Sequence, residues 1–215
     1  MLTPQRLDDL RQTLDVSGLL IMYVGNLEPY QGIDLLLDSF ALVLRESVNV
    51  DLVIIGGKSS DIQAYRNKSK SLGIGASVHW LGAKPVEQLQ DYLSQADILV
   101  SSRIKGINTP MKLYSYLGSG KATLVTDLPT HTQLVDQTVA MLALPNPKDF
   151  AQAMLSLISD AALREQLGKA GKTLIEENFS HAAFTNRLNS LLDWLESEVV
   201  DIPTANLIKP PVSNS

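Results

Sequence analysis

The chain has 215 residues, of which 45% are hydrophobic and 19% charged, and its formal net charge is −5. This length supports a well-buried core in one medium or two small domains. The acidic balance argues against nucleic-acid binding, which needs a broad basic face. Because cysteine is absent, disulfides and thiol chemistry are excluded, and the three scattered histidines make no metal-ligand pattern.

The sequence carries no clear signal for membrane insertion or export. Its apolar runs are of strand length, well short of a transmembrane helix. The first ten residues lack the basic and then apolar layout of a signal peptide. We therefore predict a cytoplasmic location.

Strand-like and helix-like segments alternate along the chain, which predicts an α/β fold with a doubly wound parallel sheet. Apolar runs typical of buried strands occur at residues 19–25, 50–55, 77–81, 97–102, 122–126 and 138–142. Helical patterns occur at residues 1–16, 33–44, 61–72, 86–94, 110–118, 130–135, 148–159, 160–178 and 182–200. The sequence thus predicts one Rossmann-like domain of about six strands over residues 1–200. A proline-containing polar tail, predicted to be disordered, follows at 201–215.

Two glycine-containing strand-to-helix junctions are the most informative features of the sequence. The first spans residues 23–32, where Gly25 follows the first strand and lets a phosphate approach the backbone. The second spans residues 107–126, with Thr109 as the predicted N-cap of a helix and Pro110 as its first residue. A helix N-terminus at the carboxyl edge of a parallel sheet can bind an anion. Taken alone, the first junction favours the simpler interpretation that Gly25 only makes a tight turn. Two such junctions in one sheet, however, suggest a ligand that carries a diphosphate.

Basic side chains accompany the second junction. Arg103 and Lys105 follow the fourth predicted strand, and Lys112 lies in the first turn of the next helix. They suggest a phosphate pocket, and an ordinary solvated loop is an equal alternative. Tyr114 and Tyr116 are expected in the core rather than stacked on a base. His79 is expected to be structural, whereas the role of His131 stays open.

Five motifs recur in a recognisable order: residues 23–36, 52–57, 78–82, 93–102 and 109–121. In this order and spacing the chain resembles the C-terminal, nucleotide-sugar-binding domain of GT-B glycosyltransferases of the group 1 (GT4-like) family. The resemblance runs from about residue 19 to residue 195. It implies one half of a GT-B fold that binds a nucleoside diphosphate sugar without a metal or other cofactor.

The resemblance also implies where the donor would bind. The diphosphate would contact Gly25, Asn26, Gln31, Thr109 and Lys112, and the sugar would lie near Asn108 and Thr109. The nucleoside would be bordered by Leu81, Lys84 and Ser115, with Arg103 and Lys105 as further basic contacts; no catalytic residue is assigned.

Four side chains depart from the family pattern. The family usually has an Arg after the first-strand glycine and a Lys before the next glycine, and here these positions are Asn26 and Gln31. Its two glutamates, eight positions apart, fall at Ile107 and Ser115. Because Asn26 and Gln31 carry no positive charge, Lys112, Arg103 or Lys105 would have to balance the diphosphate.

The implied activity is retaining transfer of a sugar from a nucleoside diphosphate sugar to an acceptor. A GT-B enzyme needs a second, N-terminal domain for the acceptor, so a missing domain or a partner chain is expected to supply it. This isolated half is expected to be inactive alone, and the complete protein to associate at most peripherally with membranes. The alternative is a non-catalytic or degenerate nucleotide-sugar-binding module of the same fold. A sugar-nucleotide epimerase is disfavoured because the G-x-G-x-x-G and Tyr-x-x-x-Lys motifs are absent.

Overall fold

The structure is a computed structural model that describes residues 9–46 and 49–200. The chain divides into two compact units, Met1–Ile175 and Glu176–Ser215. The tail predicted at 201–215 lies outside the described residues. In the described part of the chain, no helix has both the length and the apolar character needed to span a bilayer.

The first unit is built on one parallel sheet of six strands, which confirms the predicted fold class. The strands are β1 (Leu19–Val24), β2 (Val50–Ile55), β3 (Val78–Gly82), β4 (Ile98–Ser101), β5 (Ala122–Thr126) and β6 (Met141–Ala143). Their order across the sheet is β3-β2-β1-β4-β5-β6. The direction of strand addition therefore reverses between β1 and β4, which creates the switch point where ligands bind in such sheets.

Helices follow most of the strands. They are α1 (Leu10–Leu14), α2 (Ile33–Glu46), α3 (Ser59–Ser71), α4 (Leu89–Ser94), α5 (Met111–Gly118), α6 (Pro129–Thr132), α7 (Pro147–Ser159), α8 (Ala161–Asn178) and α9 (His181–Val200). Of the predicted helix at residues 1–16, the described part contains only α1. The helix predicted at 86–94 is divided into a 3₁₀ turn, Val86–Gln88, and α4.

The last strand and the helix before it differ from their predicted bounds. The strand predicted at 138–142 is β6, which starts only at Met141, and the helix predicted at 130–135 is the shorter α6. The carboxylate of Asp136 accepts bonds from the Thr138 amide at 2.8 Å and the Thr138 hydroxyl at 2.5 Å. The Thr138 amide is therefore hydrogen-bonded within a local turn and not to a neighbouring strand, so β6 begins only after this turn.

Both faces of the sheet are covered, which explains why the strands are continuously apolar. On β1, Ile21 and Tyr23 belong to one buried cluster, which includes Phe40 of α2. Leu20 and Met22 belong to a second buried cluster on the other face, with side chains of α1 and α4. The strand ends are therefore fixed by packing on both sides, and the loops that follow them have defined starting points.

Helix α9 belongs to the second unit. Its predicted apolar stripe of Leu188, Leu191, Leu192 and Leu195 is 41–49% exposed. The 3.6-residue spacing thus predicted the helix correctly, and these side chains belong to none of the buried clusters of the described residues.

A comparison of two glycines tests how closely the loops after β1 and β4 approach each other. Gly32 lies at their contact, and Gly73 is a control outside it. Gly32 (φ +70°) and Gly73 (φ +76°) share a left-handed backbone, but a Cβ at Gly32 would lie 2.0 Å from the Ser102 carbonyl oxygen. At Gly73 a Cβ would meet nothing within 4 Å. We predict that Gly73→Ala lowers the free energy of unfolding by about 1 kcal/mol. Gly32→Ala should lower it by about 2–4 kcal/mol because it adds a steric clash.

Urea unfolding of the two alanine variants measures this difference. Equal losses of stability in the two variants would contradict the close approach of the two loops.

Candidate functional site

The candidate site lies at the carboxyl edge of the sheet, at the switch point between β1 and β4. We define the first rim segment as residues 25–32 and the second rim segment as residues 102–112. The Ser102 hydroxyl donates to the Gln31 carbonyl at 3.0 Å, and the Ile104 amide donates to the Tyr30 carbonyl at 3.0 Å. The two junctions singled out in the sequence therefore lie side by side.

Lys112 links the two rim segments through its side chain. Its ammonium donates to Gln31 Oε1 at 3.0 Å and lies 4.0 Å from the centroid of the Tyr23 ring. Within the described residues, no carboxylate forms an ion pair with Lys112 within 4.0 Å. Burial, reinforced by the positive charge of Arg103, lowers the pKa of Lys112 to about 7. The site thus contains an amine that titrates near neutral pH and has no carboxylate partner among the described residues.

Gly25 leaves space beside this ammonium. Its φ is +154°, and its amide donates to the Ile55 carbonyl at 2.9 Å. A Cβ at Gly25 would lie 3.3 Å from Lys112 Nζ. Asn26 is exposed next to it, and its carbonyl accepts a 2.6 Å bond from the Tyr23 hydroxyl. A ligand can therefore reach the backbone and the ammonium from the same side.

Helix α5 starts one residue later than predicted. Pro110 is the N-cap, with φ −65° and ψ 127°, so the prediction of Thr109 as N-cap and Pro110 as first helical residue is wrong. The extended ψ of Pro110 delays the first turn, and no side chain of the described residues forms a capping hydrogen bond there. Amide groups at an uncapped N-terminus are available to an anion.

Tyr116 fixes α5 against β1. Its hydroxyl accepts a 2.7 Å bond from the Val24 amide and donates to the Val24 carbonyl at 3.1 Å. The side chain is fully buried, as expected of a core aromatic. The first turn of α5 is thereby held next to the end of β1.

Arg103 organises the loop of the second rim segment. Its guanidinium donates to the Lys105 carbonyl at 2.9 Å and the Asn108 carbonyl at 3.2 Å, and lies 5.3 Å from the Tyr30 ring centroid. The Thr130 hydroxyl also donates to the Asn108 carbonyl, at 2.8 Å. Arg103 thus belongs to an ordered loop, whereas Lys105 is exposed to solvent.

The sites predicted for the sugar and the nucleoside are only partly brought together. Asn108 and Thr109 directly precede α5 in the second rim segment, and Ser115 lies within that helix. Leu81 and Lys84 lie at the end of β3, the edge strand, with β2 between them and β1. Leu81 packs against the second buried cluster, and Lys84 Nζ lies 5.9 Å from the Tyr92 ring centroid. Their contacts with a nucleoside stay predictions.

Sequence reasoning left the role of His131 open, and the structure places it beneath the rim. The ring is fully buried, with Nε2 3.0 Å from Ser101 Oγ and Nδ1 3.0 Å from the Thr126 carbonyl. Nδ1 therefore donates to the carbonyl, and Nε2 accepts from the hydroxyl. Burial lowers the pKa of His131 to about 4, so the ring is neutral near pH 7. Nothing in the sequence spacing signals this network, because its members lie on three separate segments.

His79 is also structural, as predicted, since its Nε2 lies 2.8 Å from an Asp51 carboxylate oxygen. Across residues 9–46 and 49–200, no three acidic or histidine side chains gather into a metal-binding group. The expectation of a metal-free site stays a prediction.

Comparison with known proteins identifies the type of fold. Anabaena HepE in complex with UDP superimposes with a TM-score of 0.75 at 17% identity, covering 89% of this chain and 53% of that one. The C-terminal domain of a group 1 glycosyl transferase, LpcC of Francisella tularensis, gives a TM-score of 0.70 at 18% identity. It covers 83% of this chain and 95% of that domain. The fold is therefore the Rossmann-like half of a GT-B glycosyltransferase.

The chain belongs to the group 1 family of glycosyl transferases, whose profile matches residues 8–174. D-inositol 3-phosphate glycosyltransferase of Corynebacterium diphtheriae is 26% identical over 182 residues, which are 79% of this chain and 41% of that enzyme. The chain thus spans less than half the length of this relative.

Because His131 stays neutral in the fold, it should make stability depend on pH. The unfolded chain protonates His131 near its ordinary pKa of 6.5, whereas the folded chain does so only near 4. As pH falls from 7 to 4, the unfolded state therefore binds more protons and the folded state loses stability. We predict that this loss is about 3 kcal/mol larger in the wild type than in His131→Gln.

Urea unfolding at several pH values measures both profiles, and the variant controls for the carboxylates that titrate in the same range. Parallel profiles would show that His131 is not held neutral by burial.

Proposed function

We propose that this chain is the donor-binding half of a retaining glycosyltransferase that uses a nucleoside diphosphate sugar. The observation that carries the proposal is the Lys112 ammonium, which lies at the switch point without a carboxylate partner in the described structure. An uncompensated cation beside an uncapped helix N-terminus is suited to a diphosphate. Family membership and the resemblance in fold to HepE in complex with UDP support this assignment.

In this proposal the diphosphate lies between the two rim segments. Gly25 allows it to approach the end of β1, and the first amides of α5 and Lys112 donate to its oxygens. The side chains of Asn26 and Gln31 add neutral hydrogen bonds, and Thr109 lies close to the same group. Arg103 adds a second positive charge from its ordered loop, and Lys105 a more distant one.

The transferred sugar would lie near Asn108 and Thr109, with the nucleoside towards Ser115, Leu81 and Lys84. During transfer the bond between the anomeric carbon and the diphosphate breaks, and the acceptor oxygen forms the new bond with retained configuration. The acceptor hydroxyl loses its proton, and the diphosphate leaves with the bonding electrons. Lys112 and the α5 amides would stabilise the negative charge that develops on this leaving group.

The acceptor and the group that takes its proton are proposed to come from an N-terminal domain or a partner chain. The chain covers 41% of the Corynebacterium diphtheriae enzyme, which leaves room for such a domain in a complete protein. At the rim, Ile107 is 84% and Met111 is 78% exposed, and a second domain would cover these apolar side chains. Alone, this half is proposed to bind the donor without transferring its sugar, in the cytoplasm.

The second candidate is a non-catalytic module that binds nucleotide sugars. The four uncharged substitutes at Asn26, Gln31, Ile107 and Ser115 favour it, because the family pattern has charged groups there. A transfer assay on the complete protein, or on this chain with its partner, separates the two. Donor binding with product formation supports the enzyme, and donor binding without product supports the module.

The role of Lys112 gives a direct test by calorimetry with nucleoside diphosphate sugars. Lys112→Met removes a charge-assisted contact of about 1.5–3 kcal/mol and should weaken donor binding by about 10- to 100-fold. Its free energy of unfolding should not fall, because an unpaired, partly buried charge is removed.

Lys121→Met is the matched control, because Lys121 directly precedes β5 at the opposite edge of the sheet. It should bind like the wild type. Unchanged affinity in Lys112→Met would contradict the assigned diphosphate contact. Absence of binding by the wild type to UDP-glucose, GDP-mannose, ADP-glucose and dTDP-glucose would contradict both candidates.

A further inference from the structure

Within residues 9–46 and 49–200, no carboxylate lies within 4.0 Å of the Lys112 ammonium to serve as its counter-ion. Gln31 Oε1, the hydrogen-bond acceptor at 3.0 Å, is a neutral amide oxygen. The Tyr23 ring contributes only its π face, 4.0 Å from the ammonium. Transfer of an ammonium out of water is costly unless an anion compensates it, and a neutral amine largely avoids that cost.

The titratable and charged groups on the elements packed around Lys112 are neutral or positive, so they do not compensate a positive charge on its amine. Tyr23 on β1 and Tyr116 on α5 have pKa values raised by burial, so neither becomes a phenolate in the physiological range. His131 on α6 is neutral, and the Lys112 ammonium itself disfavours protonation of its ring. Arg103, in the second rim segment, carries a positive charge that disfavours a second one on Lys112.

We propose that Lys112 takes up a proton when a diphosphate binds between the rim segments, so that donor affinity falls as pH rises through neutrality. This inference rests on the proposed function and specifies how the same site is regulated. The diphosphate provides the negative charge that is missing near Lys112 in the described structure. The proton gives Lys112 the positive charge that burial disfavours in the free site.

The physical basis is a reciprocal coupling between two binding events. A nearby diphosphate favours the charged form of Lys112, and a charged Lys112 favours the diphosphate by the same factor. In the free protein, burial and Arg103 place the pKa of Lys112 at about 7, so the amine titrates in the range where the coupling is visible. Gln31 can hold the nitrogen in place in both protonation states, because a neutral amine also donates a hydrogen bond.

Calorimetry in buffers with different enthalpies of ionisation tests the proton uptake. UDP-glucose, GDP-mannose, ADP-glucose and dTDP-glucose serve as probes, since their diphosphates do not titrate between pH 6 and 8 and therefore do not contribute protons. For the nucleotide sugar that binds, an effect of the Lys112 charge on affinity of about 10- to 100-fold corresponds to an uptake of roughly 0.4–0.8 of a proton at pH 8 and roughly one-tenth at pH 6. The affinity should fall by about 4- to 12-fold between pH 7 and pH 8.5. Phosphate buffers are avoided because they would compete for the site.

Two substitutions of Lys112 test whether the proton taken up on binding is bound by its side chain. Lys112→Arg carries a permanent charge, so its donor binding should be independent of pH over this range and take up no proton. Lys112→Met should bind weakly and also take up no proton. Lys121→Met should retain the full uptake of the wild type.

The possible failures are distinct. Donor binding by the wild type without proton uptake, or with an affinity independent of pH, overturns this inference and leaves the proposed function intact. Proton uptake that persists in Lys112→Arg overturns the assignment to Lys112. If none of the four nucleotide sugars binds, the proposed function fails, and this inference fails with it.

Discussion

The site depends on the contact between the loops that follow β1 and β4. These strands are neighbours in the sheet although 73 residues of the chain lie between Val24, the last residue of β1, and Ile98, the first residue of β4. Tyr116 of α5 is hydrogen-bonded to Val24 at the end of β1, and Gln31 of the first rim segment is hydrogen-bonded to Lys112 of the second. Because the strands are packed on both faces, the loops cannot separate without disturbing the core. The amine is therefore held at the switch point by rigid neighbours, although no carboxylate in the described part of the chain pairs with it.

The absence of a carboxylate beside Lys112 in the described structure lowers the stability of the fold and leaves the amine free to bind an anionic ligand. A carboxylate beside Lys112 would compensate the charge within the protein and would also compete with an anionic ligand. The neutral Gln31 amide instead fixes the nitrogen while leaving its charge available. Burial is the main reason why the pKa of His131 is lowered and its ring stays neutral, and the positive charges of Lys112 and Arg103 add to this effect.

Sequence patterns predicted the sheet well because strands buried on both faces produce continuous apolar runs. They failed where local hydrogen bonds decide the structure, as at Asp136 and Thr138, and where a single dihedral angle shifts a helix start, as at Pro110. The approach of Gln31 to Lys112 could be anticipated only from the topology, because 81 positions separate them. The buried network of Ser101, Thr126 and His131 could not be predicted, since its members carry no shared spacing signal.

The central claim is that a diphosphate binds between the two rim segments. Backbone amide chemical shifts during a titration with nucleoside diphosphates test it most directly. We expect the largest changes at the amides of Gly25, Met111 and Lys112, with little change at the amino edge of the sheet near Lys121. Changes centred elsewhere, or no saturable change with any nucleoside diphosphate, would contradict it.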